Sequence, residues 1–439
     1  DSSPKAFSSP NILWGFGGRS TPNTRGEARK RADETKALRA SAPCNTRPEG
    51  PAMLILPTAD ARLEPYRLTG TPLTPRAPRT VLTRTAFAAA HVVSDPLRER
   101  SPWDTRPAVD WDATLAFRSQ LWDQGLHLAE AMDTAQRGMG VDWPTALDLI
   151  QRTMRAAKAH PMHPRVACGA GTDHAQDLTT PDAILAAYTQ QAEAIEAAGG
   201  QLILMASRAF TAISAPEATY RHVYRRLIDG AKDPVILHWL GDMFDPALKG
   251  YWGSTDVARA SDFVVSLIQE NPAKVDGIKI SLLDQAHEES FRARLPAGVR
   301  LYTGDDFNYA PLIEGDGTHH SHALLGIFAA IAPAASQALE ALATGDRATY
   351  HRLLAPTVPL SREIFRAPTR FYKAGIAFLS WLNGHQSHFI MPAGFQSSRD
   401  ITHYAQVFRL ADQAGLLSRP DLAEPRMQTL LALHGIDQT

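Results

Sequence analysis

The sequence predicts a (β/α)8 TIM barrel with a C-terminal helical extension and a disordered N-terminal segment. Three observations lead there. From about residue 78, short apolar or β-branched runs alternate with longer stretches of helical period, the pattern of βα units around a parallel sheet. Eight such runs can be placed before strands give way to alanine- and leucine-rich helical period. An open doubly wound sheet would want a glycine-rich phosphate turn near its first strand, and the GFGG run at 15–18 lies in the wrong context.

Residues 1–52 are rich in Ser, Pro, Gly, Arg and Thr, with nine Lys/Arg against five Asp/Glu and no sustained hydrophobic period. Their acidic residues and missing amphipathic helix argue against a transit peptide, leaving a disordered extension or an early start site. Met53, followed by Leu-Ile-Leu-Pro, reads as a natural beginning.

The barrel is expected over 53–330. Its first strand lies within Thr80 to Val93 and its helix in Trp111 to Gly125. The second strand runs near Leu126 to Met132, and Asp142, Trp143 and Pro144 open the next helix, proline suiting a first turn. The third strand is Arg165 to Gly169, followed by a helix opened by Thr180, Pro181 and Asp182 and closed by Gly199 and Gly200. Gln201 to Ser207, Pro234 to Leu240, Val275 to Ser281 and Val299 to Thr303 are strands four to seven, each of buried parallel-strand character. The eighth is placed around His319 to Leu324, and 331–439 is read as helices packed on the barrel.

A 44% hydrophobic and 21% charged composition is that of a globular chain, and a net charge of -1 argues against nucleic acid or an anionic membrane as partner. The expected partner is a small molecule. Cys44 and Cys168 are too few and too isolated for a disulfide scaffold or a cysteine zinc site, which fits a reducing cytoplasm. The apolar stretch Leu324 to Ala335 falls short of the roughly 20 residues that span a bilayer.

In a barrel, the site is built at the C-terminal ends of the strands. Lys279 stands inside an apolar strand between Ile278 and Ile280. An amine in a dry pocket loses solvation of its charged form and becomes a nucleophile toward carbonyls. The alternative is an ion pair with Asp276 or Asp305 that closes the barrel.

The stretch DGIKIS, with PVILHWLG before it and LYTGDD after it, resembles strands six, five and seven of the dihydrodipicolinate synthase and N-acetylneuraminate lyase family. That resemblance implies a lysine, Lys279, that forms an imine with a keto acid, and a homo-oligomer without a cofactor. The chain is also similar to an uncharacterised bacterial branch of that family, to which no chemistry is assigned.

Departures from the family pattern shape the expected site. His238 replaces the tyrosine that shuttles protons to the imine, and reads either as a proton carrier or as a satisfied core histidine. No arginine follows it to hold a carboxylate. Asp242 would repel one, so a neutral polyhydroxylated keto sugar fits better than pyruvate. The family's Gly-Thr-Thr loop is replaced by AEAMDTAQRGMG, which brings Asp133, Thr134 and Arg137 to the rim beside Glu130 and Gln136. Thr134 is the nearest equivalent of the family's threonines, and Arg137 either binds an anion or caps the next helix. The loop after the third strand adds Thr172, Asp173 and His174. Ser281 completes the Lys279 strand, and of Asp305 and Asp306 one is expected to serve the substrate and the other to cap a turn.

His319, His320 and His322, with His238, His174 and Asp305 or Asp306, raise a rival divalent-metal site. In a strand only His320 and His322 share a face, and His320 is therefore kept among the binding residues. His91 stands without a second histidine at the end of the first strand, where many metal-dependent barrel hydrolases carry an HxH motif. His385, His388 and the turn at 392–394 read as subunit contacts. The expectation is a carbon-carbon or carbon-oxygen lyase of the class I aldolase type, acting on a small carbonyl compound, a keto sugar or sugar acid. The alternatives are a metal-dependent aldolase or hydrolase, and a non-catalytic sugar-binding barrel.

Overall fold

The computed structural model describes residues 53–98 and 106–438. The segment expected to be disordered, with Cys44 and the GFGG run, lies outside them. An antiparallel hairpin of β1 (Leu54–Pro57) and β2 (Leu63–Tyr66) comes first. It docks on the C-terminal helices rather than on the barrel. Asp412 accepts hydrogen bonds from Tyr66 Oη and from the backbone N–H groups of Thr69 and Gly70.

Eight parallel strands then close on themselves: β3 (Ala86–Ala89), β4 (His127–Glu130), β5 (Val166–Ala170), β6 (Gln201–Leu204), β7 (Val235–Leu240), β8 (Val275–Ser281), β9 (Arg300–Thr303) and β10 (His322–Leu325). Pairing runs in chain order and β10 returns to β3. The fold is the expected (β/α)8 barrel. Helices α1 (Trp111–Asp123), α2 (Trp143–Ala159) and α3 (Pro181–Ala197) start where cap residues stand, since Asp110, Asp142 and Thr180 accept from Ala113, Thr145 and Ala183 N–H.

Two strand limits differ from expectation for local reasons. Ser207 caps the short helix α4 (Arg208–Ala212), so β6 stops at Leu204. Residues 315–320 form a turn instead of the start of the last strand. Gly315 and Gly317 take positive φ, and Asp316 accepts the N–H groups of Thr318 and His319.

Side chains on one face of each strand fill the barrel. Phe87, Ala129, Ala167, Ile203, Ile236, Tyr302 and Leu324 form an interior cluster apart from the helix-facing core. Its N-terminal end is closed by charge: Asp276 pairs with Arg165 and Arg300 and accepts from Tyr302 Oη.

The wall continues through α5 (Glu217–Gly230), α6 (Val257–Glu270), α7 (Gln285–Arg292) and α8 (Tyr309–Glu314). The C-terminal region follows: α9 (Ala332–Ala343), α10 (Arg347–Leu354), α11 (Thr357–Ile364), α12 (Lys373–Leu382), α13 (Ile401–Gln413) and α14 (Pro420–Leu433). Every residue of α12 is buried. The chain entering it is braced by Arg399, whose guanidinium donates to the carbonyls of Arg366, Ala367 and Pro368. Among the described residues no helix is long and apolar enough to cross a membrane.

Candidate active site

Lys279 lies on the interior face of β8, paired in register with His238 on β7 and Tyr302 on β9. Gly304, just past β9, packs on it so closely that a Cβ there would lie 2.7 Å from Lys279 Cε. Only glycine permits that approach. Ser281 lies two residues further along the strand, buried, with its Oγ unpartnered among the described residues.

The carboxylates that could have satisfied the amine are engaged elsewhere. Asp276 closes the far end of the barrel. Asp305 accepts from the N–H groups of Phe307 and Asn308 and from Asn308 Nδ2, a turn-forming role. Lys279 has no hydrogen bond, and no carboxylate within 4.0 Å, among the described residues. Burial lowers its pKa, and the charges of Asp133 and Asp306 partly counter that. His238 is buried with both ring nitrogens unpartnered, and burial together with Lys279 keeps its pKa well below the ordinary histidine value.

Of the two adjacent aspartates, Asp306 is the one that faces the amine. It is buried, accepts from Ile327 N–H at 3.0 Å, and burial raises its pKa to about 7. Thr134, in the loop after β4, is hydrogen-bonded at 2.7 Å to Tyr372 Oη. That phenol, stacked on Phe365, stands among Asp133 and Asp306, the same two carboxylates that face Lys279. A tyrosine therefore reaches the barrel mouth from the C-terminal region, where the family pattern has one on the fifth strand.

A cavity of about 630 Å³ opens over this group. His238, Asp133 and Tyr372 line it, as do Thr172, Asp173 and Arg137. Thr172 bonds Ser207 Oγ at 2.6 Å. Arg137 is fully engaged, with paired bonds to Asp173 and further ones to Gln191 Oε1 and the carbonyls of Ala131 and Gly169. It braces the wall, so no donor is left for a substrate anion. Glu130 and Gln136 likewise hold structure, on Arg118 and on the carbonyls of Met139 and Pro392.

Lys279, Thr134, Ser281, Asp305 and Asp306 are not among the residues that line the cavity, and three further expected residues lie elsewhere. Asp242 is exposed, because the chain turns at Gly241 and presents Phe244 and Asp245 instead. The repulsion of a carboxylate expected from Asp242 therefore lapses. His174 turns back onto Gln190 and Gln191 of α3. His320 sits in the turn before β10, at the end of the barrel opposite the mouth, against His322. The histidines of the rival metal set are thus dispersed. No three His, Cys, Asp or Glu side chains among the described residues form a metal-holding group. His91 bonds Gln386 at 2.7 Å.

Sequence reasoning missed Tyr372, Lys373 and Arg370, which all line the cavity. One signal was available: Lys373 heads the apolar run AGIAFLSWL, as Lys279 interrupts an apolar strand.

Below the site, Glu288 is buried and accepts from Thr303 Oγ1 and Ser321 Oγ. Burial raises its pKa from 4.5 to about 8. A raised folded-state value means its contribution to stability is complete below the unfolded pKa and is lost as pH rises toward 8. Glu288→Gln is expected to flatten the fall in unfolding free energy between pH 5 and 8 by on the order of 2 kcal/mol. Urea titrations at the two pH values check this; equal slopes in both proteins would count against it.

The fold is shared with barrels of the dihydrodipicolinate synthase family of known structure. The prophage protein YagE from E. coli K12, of the dihydrodipicolinic acid synthase family, superposes with a TM-score of 0.58 at 15% identity, over 76% of this chain and 100% of YagE. Dihydrodipicolinate synthase from Aquifex aeolicus gives 0.57 at 10% identity, over 76% and 98%. That from Bacteroides thetaiotaomicron gives 0.56 at 15%, over 75% and 99%. No curated protein matches the chain. A family model described as "Protein of unknown function (DUF993)" matches residues 54–436, and the chain belongs to that family, a branch with the dihydrodipicolinate synthase fold.

Proposed function

We propose that this chain is a lyase of the class I aldolase type, in which Lys279 forms an imine with a small carbonyl compound, a keto sugar or sugar acid. The observation that carries the reading is a buried lysine on β8, beside His238, with no hydrogen bond and no carboxylate within 4.0 Å among the described residues. The structure of YagE holds pyruvate, itself a small carbonyl compound, which supports the same reading. The neutral amine adds to the carbonyl carbon, the oxygen takes one proton from the amine nitrogen and a second from a neighbouring acid such as Asp306, and water leaves to give the iminium. In carbon–carbon cleavage the iminium takes up the electron pair of the breaking bond; in carbon–oxygen cleavage it takes up the pair of the α carbon–hydrogen bond, and the enamine so formed expels the hydroxyl, which leaves with its own pair and a proton as water.

Proton transfer falls to the groups around the amine. Asp306, with its pKa about 7, can hold or release a proton near neutrality. The Tyr372 phenol is hydrogen-bonded to Thr134 and feels the charges of Asp306 and Asp133. His238 stays neutral and so serves as an acceptor rather than a cationic acid. Tyr372→Phe is expected to lower kcat by about 10²-fold while leaving imine formation intact. Single-turnover trapping against steady-state rate checks this; equal loss in both would make Tyr372 a structural residue.

Borohydride reduction with pyruvate, dihydroxyacetone or glyceraldehyde tests the reading. The expected result is a reduced adduct on the peptide carrying Lys279. No adduct with any of the three, or one confined to Lys373, would sink it, and sugar binding without an adduct would favour a non-catalytic barrel.

A further inference from the structure

The cavity wall that comes from the C-terminal region is unbalanced in charge. Arg137, Arg208, Arg370 and Lys373 line the cavity, as do Asp133, Asp173, Asp177 and Asp245, but the charged residues that the C-terminal region contributes are the two cations Arg370 and Lys373. Arg137 is paired with Asp173 at 2.7 Å and Arg208 with Asp245 at 2.6 Å. Among the described residues Arg370 and Lys373 have no carboxylate within 4.0 Å.

Lys373 is only 1% exposed, yet it is one of the residues that line the cavity. It donates to Arg370 O at 2.9 Å and makes a weak contact with Met139 Sδ at 3.3 Å, over the face of Tyr372. The third N–H is left for a ligand. Arg370 is exposed at the mouth, against the Phe371 ring. A buried cation without a counter-ion is costly, and a ligand that brings the anion removes the cost.

We propose that Lys373 and Arg370 form an anion subsite that holds a phosphate or carboxylate of the substrate, at the end away from the carbonyl carbon that Lys279 attacks. This rests on the imine reading for its direction only. The groups beside Lys279 are His238, Ser281, Asp133 and Asp306, which include no second cation. The charge of Asp133 acts on both amines and that of Asp245 on Lys373, while Lys279 stands on β8 and Lys373 lines the cavity from the start of α12. Burial lowers the Lys373 pKa to about 8, which leaves it charged at neutral pH. The cavity of about 630 Å³ falls within the roughly 300–1,000 Å³ of small-molecule sites and has room for more than a three-carbon acid. The substrate class is thus an acid- or phosphate-terminated sugar carbonyl, instead of the neutral keto sugar expected from the strand residues alone.

The test uses probes without a carbonyl group: glycerol 3-phosphate, glycerate and glycerol, titrated calorimetrically into the full chain at pH 7. One or both anions are expected to bind and glycerol not to. Binding by only one of them identifies the anion as phosphate or carboxylate. Lys373→Met and Arg370→Ala should each weaken anion binding at least tenfold, Lys373→Arg should retain it, and Lys279→Ala should leave it unchanged. Arg370 is exposed, so its variant keeps the test decisive should Lys373→Met fail to fold. Equal binding of glycerol, no anion binding, or indifference to both substitutions overturns the subsite. Anion binding without a borohydride adduct would leave the subsite standing and overturn the imine reading; an adduct without anion binding would do the reverse.

Discussion

Lys279→Ala is expected to lower turnover by at least about 10³-fold and to abolish the borohydride adduct, because no neighbouring group can replace an amine as the covalent nucleophile. Its second signature separates catalysis from structure. A lysine held in the barrel interior without an ion pair destabilises the fold, so Lys279→Met is expected to leave the unfolding free energy unchanged or raise it by on the order of 1 kcal/mol. A structural lysine would behave in the opposite way, with its loss costing stability and sparing turnover. Denaturant titration beside steady-state kinetics distinguishes the two. Turnover within tenfold of the parent would end the catalytic assignment.

The largest effect on stability is expected from the pair Arg118 and Glu130, both fully buried. The guanidinium meets the carboxylate through two bonds of 2.6 and 2.8 Å and also donates to the carbonyls of His91 and Thr114. Glu130 further accepts from Thr153 Oγ1 and from Ala131 N–H. Removing one partner strands the other charge in the interior, so Arg118→Ala or Glu130→Ala is expected to cost about 3–5 kcal/mol. Replacing both by Met and Leu should cost far less. The pair also fixes the end of β4, three residues before Asp133, so the single variants should weaken substrate binding. Chemical denaturation of the singles and the double checks this, and a loss below about 1 kcal/mol in the singles would refute it.

The strand and helix order was legible because it is locally encoded. Asp142 and Thr180 cap the helices that they precede in sequence, and Val275 to Ser281 is a strand on the evidence of its own residues. The eighth strand was misplaced by a few residues for an equally local reason, since two glycines and Asp316 make a turn where an apolar run was expected to begin. Lys279 could be identified because a charged residue inside an apolar strand stands out from its own neighbours. Which carboxylate faces it could not, since Asp276, Asp305 and Asp306 are equivalent in sequence terms and differ only in which end of the barrel, or which turn, each one serves.

By itself, then, the sequence determined the barrel, the position of Lys279 on its sixth strand, and the histidine opposite it, because periodicity, caps and strand order depend on near neighbours. Only the tertiary structure decided what surrounds the amine. It placed Asp306 toward Lys279 and Asp305 toward a turn, and it sent Asp242, His174 and His320 away from the cavity. It also brought Tyr372 to Thr134 across 238 residues of chain, with Lys373 and Arg370 beside it. Such contacts depend on how the C-terminal helices pack over the barrel mouth, and no local pattern encodes the distance between residues so far apart.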